Sequence, residues 1–312
     1  MRLSLKMLLL APLLAACGSG ASAGSPAGST GLSAASPAGR QTIAVVAAEN
    51  TWGSIAGQLG GDRATVASIV SNPDTDPHDY EPTPANARTM ALAKLAIVNG
   101  IGYDSWATKL LAANPASGRI VLNVGELVGA KEGGNPHRWY SPGDVHKVID
   151  QITADYKRLS PANAAYFDAQ RAAFLNEKLA AYDELIGGIK AKYAGTPVGA
   201  SENIFSPLAE ALGLKLLTPA RFLDAISQGM EPNAGDKARI DAQIRNKEIE
   251  VYVYNLQNAT PDVRAQVKAA KAQGIPVVTI TETLSPAAAT FQDWQVAQLQ
   301  ALRSALHEAT GK

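Results

Sequence analysis

The sequence predicts an α/β protein with two parallel-sheet lobes joined by one long spine helix. Short apolar, β-branched runs alternate with helical patterns in both halves of the chain, which is typical of strand–helix–strand units. Between the halves, apolar residues recur at helical spacing from Pro161 to about Tyr193. Roughly 30 helical residues span about 45 Å, the width of a whole domain. A helix broken at Gly187-Gly188 is the alternative.

Composition limits the class of protein. The chain has 312 residues, of which 46% are hydrophobic and 18% charged, as in a soluble globular protein of two domains. The 28 basic and 28 acidic residues cancel, so no basic excess offers a surface for nucleic acid. Cys17 is the only cysteine, which excludes an internal disulfide and a thiolate metal site.

The N-terminal residues have the pattern of a targeting segment. Arg2 and Lys6 precede a short apolar run, so residues 1–16 read as a secretory signal peptide. The run closes with Leu-Ala-Ala before Cys17, which resembles the bacterial lipobox, where the cysteine becomes lipidated. The alternative is an ordinary signal peptide with an unrelated cysteine. Residues 17–40 are nearly all Gly, Ala, Ser, Thr and Pro, so we expect a flexible leash behind the lipid.

In the first half, residues 41–142, each strand is an apolar run and each helix follows a turn or capping signal. Asn50 is expected to cap a helix that Gly60-Gly61 ends. The predicted strands are Thr42–Ala48, Ala64–Val70, Leu95–Asn99 and Arg119–Val124. The predicted helices are Asn50–Leu59, Thr83–Ala93 and Asp104–Ala113.

Residues 143–194 are expected to be helical and residues 195–312 to form the second lobe. A helix over Gly143–Leu159 precedes the spine, for which Ser160 and Pro161 supply a cap and a first-turn proline. The strands predicted in the second lobe are Pro197–Ser201, Lys215–Thr218, Glu250–Asn255 and Ile275–Thr281. The helices predicted there are Ile204–Leu212, Ala234–Asn246, Pro261–Gln273 and Phe291–Ala309.

Four side chains with metal-binding chemistry each follow a predicted strand. They are His78, His137, Glu202 and Glu282, two from each half. Ligands of parallel sheets bind beyond the carboxyl ends of the strands, so a cleft between the lobes would bring the four together. Two imidazoles and two carboxylates complete the shell of a divalent ion and neutralise its charge. Taken singly, each histidine could equally be a solvated loop residue.

The surroundings of these histidines suggest supporting residues. Asp76, Asp79 and Glu81 lie near His78 on a proline-rich loop and are candidates to orient its ring, with turn formation as the alternative. Trp139 is a candidate wall of the pocket. The two other histidines and the three other tryptophans are interpreted as helix-surface and core residues respectively: His146, His307, Trp52, Trp106 and Trp294.

Five stretches resemble the zinc- and manganese-binding solute-binding lipoproteins of bacterial ABC importers, the cluster A-I family. Asp76–Pro84 is similar to the family's first ligand motif and Val98–Trp106 to the strand, turn and helix after it. Asn135–Trp139 resembles the second ligand motif and Ser201–Phe205 the third, in its carboxylate form. Thr281-Glu282 falls where the family usually has an aspartate. The resemblance covers about Thr42 to the C-terminus and implies two α/β lobes with the metal between them.

The resemblance implies a function. We expect an extracytoplasmic monomer, anchored by lipid to the cell membrane, that captures one Zn²⁺ or Mn²⁺ and delivers it to an ABC permease. The sequence departs from the family at two places. Glu282 is one methylene longer than the family's usual aspartate, and the loop between Val124 and Asn135 lacks the histidine-rich insertion that many zinc importers carry. A metal-dependent surface adhesin and a metalloenzyme are the alternatives. The sequence has no His-Glu-x-x-His motif, which argues against the enzyme.

Overall fold

Two parallel sheets carry the architecture, as the sequence predicts. The computed structural model describes residues 42–73, 75 and 80–312, and within them each sheet has four strands. The strands are β1 Ile43–Glu49, β2 Ala64–Val70, β3 Leu95–Val98, β4 Ile120–Asn123, β5 Pro197–Ala200, β6 Lys215–Leu216, β7 Val251–Asn255 and β8 Val277–Ile280. The order is β2-β1-β3-β4 in one sheet and β6-β5-β7-β8 in the other, with every neighbouring pair parallel.

The two sheets therefore have the same topology, although the two halves show no obvious sequence repeat. In each sheet the strand order is built outward in both directions from one central pair, β1 and β3 in the first sheet and β5 and β7 in the second. The order of the strands therefore reverses between the two members of that pair. Crevices at such reversal points are where open parallel sheets bind ligands. The predicted signal peptide, Cys17 and the predicted leash lie outside the described residues.

Helices connect the strands and cover both sheets. In chain order they are α1 Asn50–Gly60, α2 Pro84–Leu92, α3 Ser105–Ala113, α4 Val124–Val128, α5 Pro142–Leu159, α6 Ala164–Ala173, α7 Ala180–Tyr193, α8 Ser206–Ala211, α9 Ala220–Ser227, α10 Ala234–Arg245, α11 Pro261–Ala272 and α12 Phe291–Thr310. Within the described part of the chain, none of them is long and apolar enough to cross a membrane.

The predicted spine is less regular than a single α-helix. After a 3₁₀ turn at Pro161–Asn163, α6 passes into a π-helical turn over Phe174–Lys178, and α7 then continues to Tyr193. The chain bends at Leu179, whose N–H donates to the Phe174 carbonyl, five residues back. The helix continues through Gly187-Gly188, where the sequence allowed a break. A π turn of this kind inserts an extra residue without ending a helix.

Two short helices, α4 and α9, are absent from the sequence-based prediction.

The prediction that Asn50 caps α1 is wrong. Asn50 is the first residue of α1, and no side-chain cap is made at that end. Its side chain instead accepts a hydrogen bond from the Leu284 N–H at 3.2 Å, which ties α1 to the second half of the chain. The capping prediction fails because a tertiary partner outcompetes the local N–H groups.

The main hydrophobic core is shared by both sheets, which belong to one compact unit. A chain of aromatic rings crosses it from Trp52 through Trp139 and Tyr140 to Trp294, with successive centroids 6.3, 6.5 and 5.7 Å apart. All four tryptophans are buried, as the sequence predicts. Through these rings the segment around Trp139 packs into the core that the two sheets share.

Candidate metal centre

His137 lies in the loop between α4 and α5 and is fully buried. The Asn135 side-chain oxygen accepts the His137 backbone N–H at 3.0 Å and lies 3.0 Å from its Nδ1. A proton on Nδ1 satisfies this contact and leaves the lone pair on Nε2, so that this nitrogen can bind a metal. Asn135 also donates to the Asn203 carbonyl at 2.6 Å, which joins this loop to the second half.

Two carboxylates meet this imidazole from the second sheet. Glu202 follows β5 by two residues and Glu282 follows β8 by two residues. Both are buried, at 0% and 4% exposure. Glu202 Oε1 lies 3.8 Å from His137 Nε2, and Glu282 Oε2 lies 4.0 Å from the same atom.

Among the described residues, His137, Glu202 and Glu282 form a group that could hold a metal ion, because each offers one nitrogen or carboxylate oxygen and these three atoms lie within 4.8 Å of one another. Ligands of tetrahedral zinc, with bonds of about 2.0–2.1 Å, lie roughly 3.3 Å apart. The two carboxylate oxygens, now 3.8 and 4.0 Å from His137 Nε2, would therefore need to move roughly 0.5 to 0.7 Å nearer to it to hold such an ion. A buried pair of carboxylates beside an imidazole has the donor chemistry of a divalent transition-metal site.

Amide side chains from the end of β7 hold the two carboxylates. Asn255 Nδ2 donates to Glu202 Oε2 at 3.0 Å and to Glu282 Oε1 at 2.8 Å. Asn258 Nδ2 donates to the same Glu202 oxygen at 3.2 Å. The Gln257 side chain accepts the Glu282 N–H at 2.6 Å and donates to the Pro73 carbonyl, which ties Glu282 to the segment after β2.

These amides were missed by the sequence analysis. Asn255 had the same signal as the predicted ligands, since it ends a predicted strand. The sequence analysis considered only imidazoles and carboxylates at strand ends, and Asn255 carries neither group. Its position at the β5–β7 reversal point shows that a residue supporting the candidate ligands can occupy the same kind of strand-end position as they do.

Aromatic residues complete the walls. The Tyr103 hydroxyl donates to Glu282 Oε2 at 2.8 Å, and its ring centroid lies 5.9 Å from that of His137. The Trp139 and His137 rings meet edge to face, with their centroids 5.3 Å apart. The Tyr140 hydroxyl donates to the Thr281 carbonyl at 2.8 Å, and burial keeps it neutral by raising its pKa. Tyr140 thereby links the loop of His137 to the residue before Glu282.

A sharp turn presents Tyr103. Gly100, Ile101 and Gly102 all have positive φ, at 73°, 61° and 84°. A Cβ on Gly100 would lie 2.2 Å from the Asn123 side-chain oxygen, so only glycine fits there. The Asp104 carboxylate closes the turn by accepting the N–H groups of Asn99 and Gly100 at 2.7 and 2.8 Å.

The remaining predicted residues divide into two groups. His78, Asp76 and Asp79 lie outside the described residues. Glu81 is exposed before α2 and does not belong to the buried group. His146 on α5 is partly exposed and contacts Asp183 at 3.0 Å.

The fourth histidine, His307, is exposed near the end of α12, as predicted.

A cavity of about 430 Å³ borders the candidate metal centre, and its lining includes Tyr103, Asn135 and Asn203. It gives a polar vestibule between the two sheets on the His137 side.

Known proteins resemble this chain in sequence and fold. It is 26% identical over 140 residues to the manganese-binding lipoprotein MntA of Halalkalibacterium halodurans, covering 43% of this chain and 46% of that one. It is 23% identical over 215 residues to the high-affinity zinc uptake system protein ZnuA of Bacillus subtilis, covering 63% and 66%. The chain thus spans about half to two thirds of the length of these curated relatives.

A solved structure supports the fold. The manganese-bound periplasmic metal-binding protein of Candidatus Liberibacter asiaticus superposes with a TM-score of 0.70 at 19% identity, over 85% of this chain and all of that one. The family model described as zinc-uptake complex component A, periplasmic, matches residues 45–305, which include His137, Glu202 and Glu282. The chain therefore belongs to the ZnuA family of periplasmic zinc-uptake components.

Proposed function

We propose that this protein captures one divalent transition-metal ion, Zn²⁺ or Mn²⁺, outside the cytoplasm and delivers it to the permease of an ABC importer. The observation that carries the proposal is the convergence of His137, Glu202 and Glu282 from three separate loops into one buried group. Two buried carboxylates repel each other, and an ion placed between them and the imidazole removes that repulsion.

His78 is proposed as the fourth ligand, which makes the shell two imidazoles and two carboxylates. Zinc suits imidazole and carboxylate ligands in a tetrahedral arrangement, and manganese suits oxygen-rich shells. Raw affinity for most sites favours zinc over manganese. We therefore expect the native protein to bind both ions in vitro, with zinc bound more tightly.

The remaining parts of the proposal concern anchoring and organisation. Residues 1–16 serve as the signal peptide, Cys17 takes the lipid, and residues 17–40 form the leash that holds a monomer at the cell membrane. Residues 41–142 and 195–312 are the two lobes, with residues 143–194 between them. The names of the relatives, which include a manganese-binding lipoprotein and a zinc uptake protein, support this organisation.

Capture is favoured over catalysis. A catalytic zinc site keeps one coordination position open for water or substrate. A shell of His78, His137, Glu202 and Glu282 would occupy all four positions of tetrahedral zinc. The described carboxylates are also held by amides from behind, which suits a binding site with a fixed shape.

The test is titration of the metal-free protein with Zn²⁺ and Mn²⁺ by calorimetry and by competition with a chromophoric chelator. The native protein should bind one equivalent of ion. His137→Ala should weaken binding by more than about 100-fold, because it deletes a ligand and leaves two carboxylates facing each other. His78→Ala should have a comparable effect.

His146→Ala is the matched control, because this histidine pairs with Asp183 on the surface of α5 and α7. It should leave the affinity unchanged. If His137→Ala and His78→Ala both keep native affinity, the proposed site is wrong. If the protein binds metal but its deletion leaves the zinc and manganese uptake of the cell intact, the transport role is contradicted and the proposed site still stands.

A further inference from the structure

Asn255 is placed to decide how many oxygens the site offers an ion. Its Nδ2 group has two hydrogens, and it contacts one oxygen of each buried carboxylate, Glu202 Oε2 and Glu282 Oε1. The oxygens nearest the His137 imidazole are the other two, Glu202 Oε1 and Glu282 Oε2. One amide thus holds one oxygen of each carboxylate while the second oxygen of each lies toward the imidazole.

The orientation of this amide is determined by its neighbours. The Asn255 side-chain oxygen accepts the Gln257 N–H at 3.0 Å, and the Asn255 backbone N–H donates to Ser201 Oγ at 3.1 Å. Rotating the amide by half a turn would place its oxygen against two carboxylates and its NH₂ group against an N–H. Both contacts would be repulsive, so the donor must face the carboxylates.

The Glu202 oxygen that faces away from the imidazole is fully engaged. An ionised carboxylate oxygen has two lone-pair sites, and Glu202 Oε2 receives one hydrogen bond from Asn255 and one from Asn258. Glu282 has a donor on each oxygen, Asn255 on Oε1 and the Tyr103 hydroxyl on Oε2. A carboxylate held in this way presents one oxygen to an ion and cannot swing to present two without losing a buried hydrogen bond.

We infer that Asn255 is a specificity-determining residue that makes both carboxylates bind through a single oxygen, and so biases the site toward four-coordinate zinc. This inference rests on the proposed function. Zinc sites with four ligands are tetrahedral, whereas manganese favours larger, oxygen-rich shells that bidentate carboxylates would supply. Releasing the carboxylates should therefore weaken zinc binding more than manganese binding.

The experiment compares zinc and manganese affinities, by chelator competition, in native protein, Asn255→Ala, Asn258→Ala and His146→Ala. Loss of a residue that orients metal ligands typically lowers affinity 10–100-fold. For Asn255→Ala we expect a zinc affinity lower by that factor, and a ratio of zinc to manganese affinity lower by at least about 10-fold. Asn258→Ala removes one donor to Glu202 and leaves the bridge to Glu282 intact, so its ratio should fall by less than that of Asn255→Ala. His146→Ala, which lies outside this group, is the control and should keep the native ratio.

X-ray absorption on the zinc-loaded native protein provides a readout that needs no variant. Four light ligands at about 2.0 Å support the inference, and a five- or six-coordinate ion with a bidentate carboxylate overturns it. An unchanged affinity ratio in Asn255→Ala also overturns it, while native binding of one ion leaves the proposed function standing. Native protein that binds neither ion overturns both.

Discussion

Replacement of Glu49 by glutamine should make the metal-free protein more stable at alkaline pH. Glu49 ends β1 and is fully buried, and the buried Asp104 carboxylate follows β3, the neighbouring strand. If both carboxylates are ionised, neither carries a hydrogen that it could donate to the other. In that state the Glu49 oxygens have no hydrogen-bond partner among the described residues. A proton on Glu49 supplies a bond to Asp104. Burial, and secondarily the Asp104 charge, raises the pKa of Glu49 well above its ordinary 4.5.

The stability of the native protein should fall as the pH rises, because these buried acids bind a proton more tightly in the folded state than in the unfolded state. Burial raises the pKa of Asp104 from 3.8 to about 6, against the hydrogen bonds from Gly100 and Asn99 that lower it, and the charge of Glu132 adds a smaller rise. The stability contribution of such an acid is present below its unfolded pKa and is lost as pH rises through its folded pKa. For Asp104 this loss is about 3 kcal/mol of unfolding free energy, since each whole pKa step is worth about 1.4 kcal/mol.

The stability that protonated Glu49 contributes is lost in the same direction, over a pH window that opens above pH 4.5. Glutamine is neutral at every pH and retains a donor for Asp104. Glu49→Gln should therefore match the native unfolding free energy to within about 1 kcal/mol at pH 5. The difference should grow in favour of the variant as pH rises and Glu49 of the native protein ionises.

The assay is urea unfolding followed by tryptophan fluorescence at pH 5, 6, 7, 8 and 9, with a chelator present. Glu132→Gln is the control, because this exposed carboxylate makes only the smaller contribution to the Asp104 pKa. It should leave the pH profile close to native. The reasoning is refuted if Glu49→Gln is the less stable protein at pH 9, or if its profile runs parallel to the native one.

Two further predictions concern anchoring and motion. Cys17→Ser should move the protein from membrane to soluble fractions, and its retention in membranes would contradict the lipoprotein proposal. Metal binding should leave the radius of gyration from small-angle scattering nearly unchanged, because hydrogen bonds from the Leu284 N–H to Asn50 and from the Tyr103 hydroxyl to Glu282 already join the two halves. A large decrease would show a hinge closure that these contacts should prevent.

The sequence alone determined the fold class and the chemistry of the centre. Buried parallel strands need continuous apolar runs and helices need their own periodicity, so the alternation of the two was readable without coordinates. Glu202 and Glu282 each follow a strand, and parallel topology places strand ends at one edge, as the sequence analysis reasons. His137 joins them from the loop between α4 and α5, so a helix that the sequence analysis did not predict separates it from β4. The role of the three residues as metal ligands is a proposal.

Only the tertiary structure decided how these groups are held. The use of Asn50 as a bridge to Leu284 instead of a cap, and of Asn255 as a donor to two carboxylates, depends on partners hundreds or tens of residues away. The pairing of Glu49 with Asp104 likewise requires β1 and β3 to be neighbours. Local patterns encode which backbone conformation a segment prefers. The partner of a buried polar side chain is set by which strand ends the completed sheets bring together, because burial makes an unpartnered polar group costly.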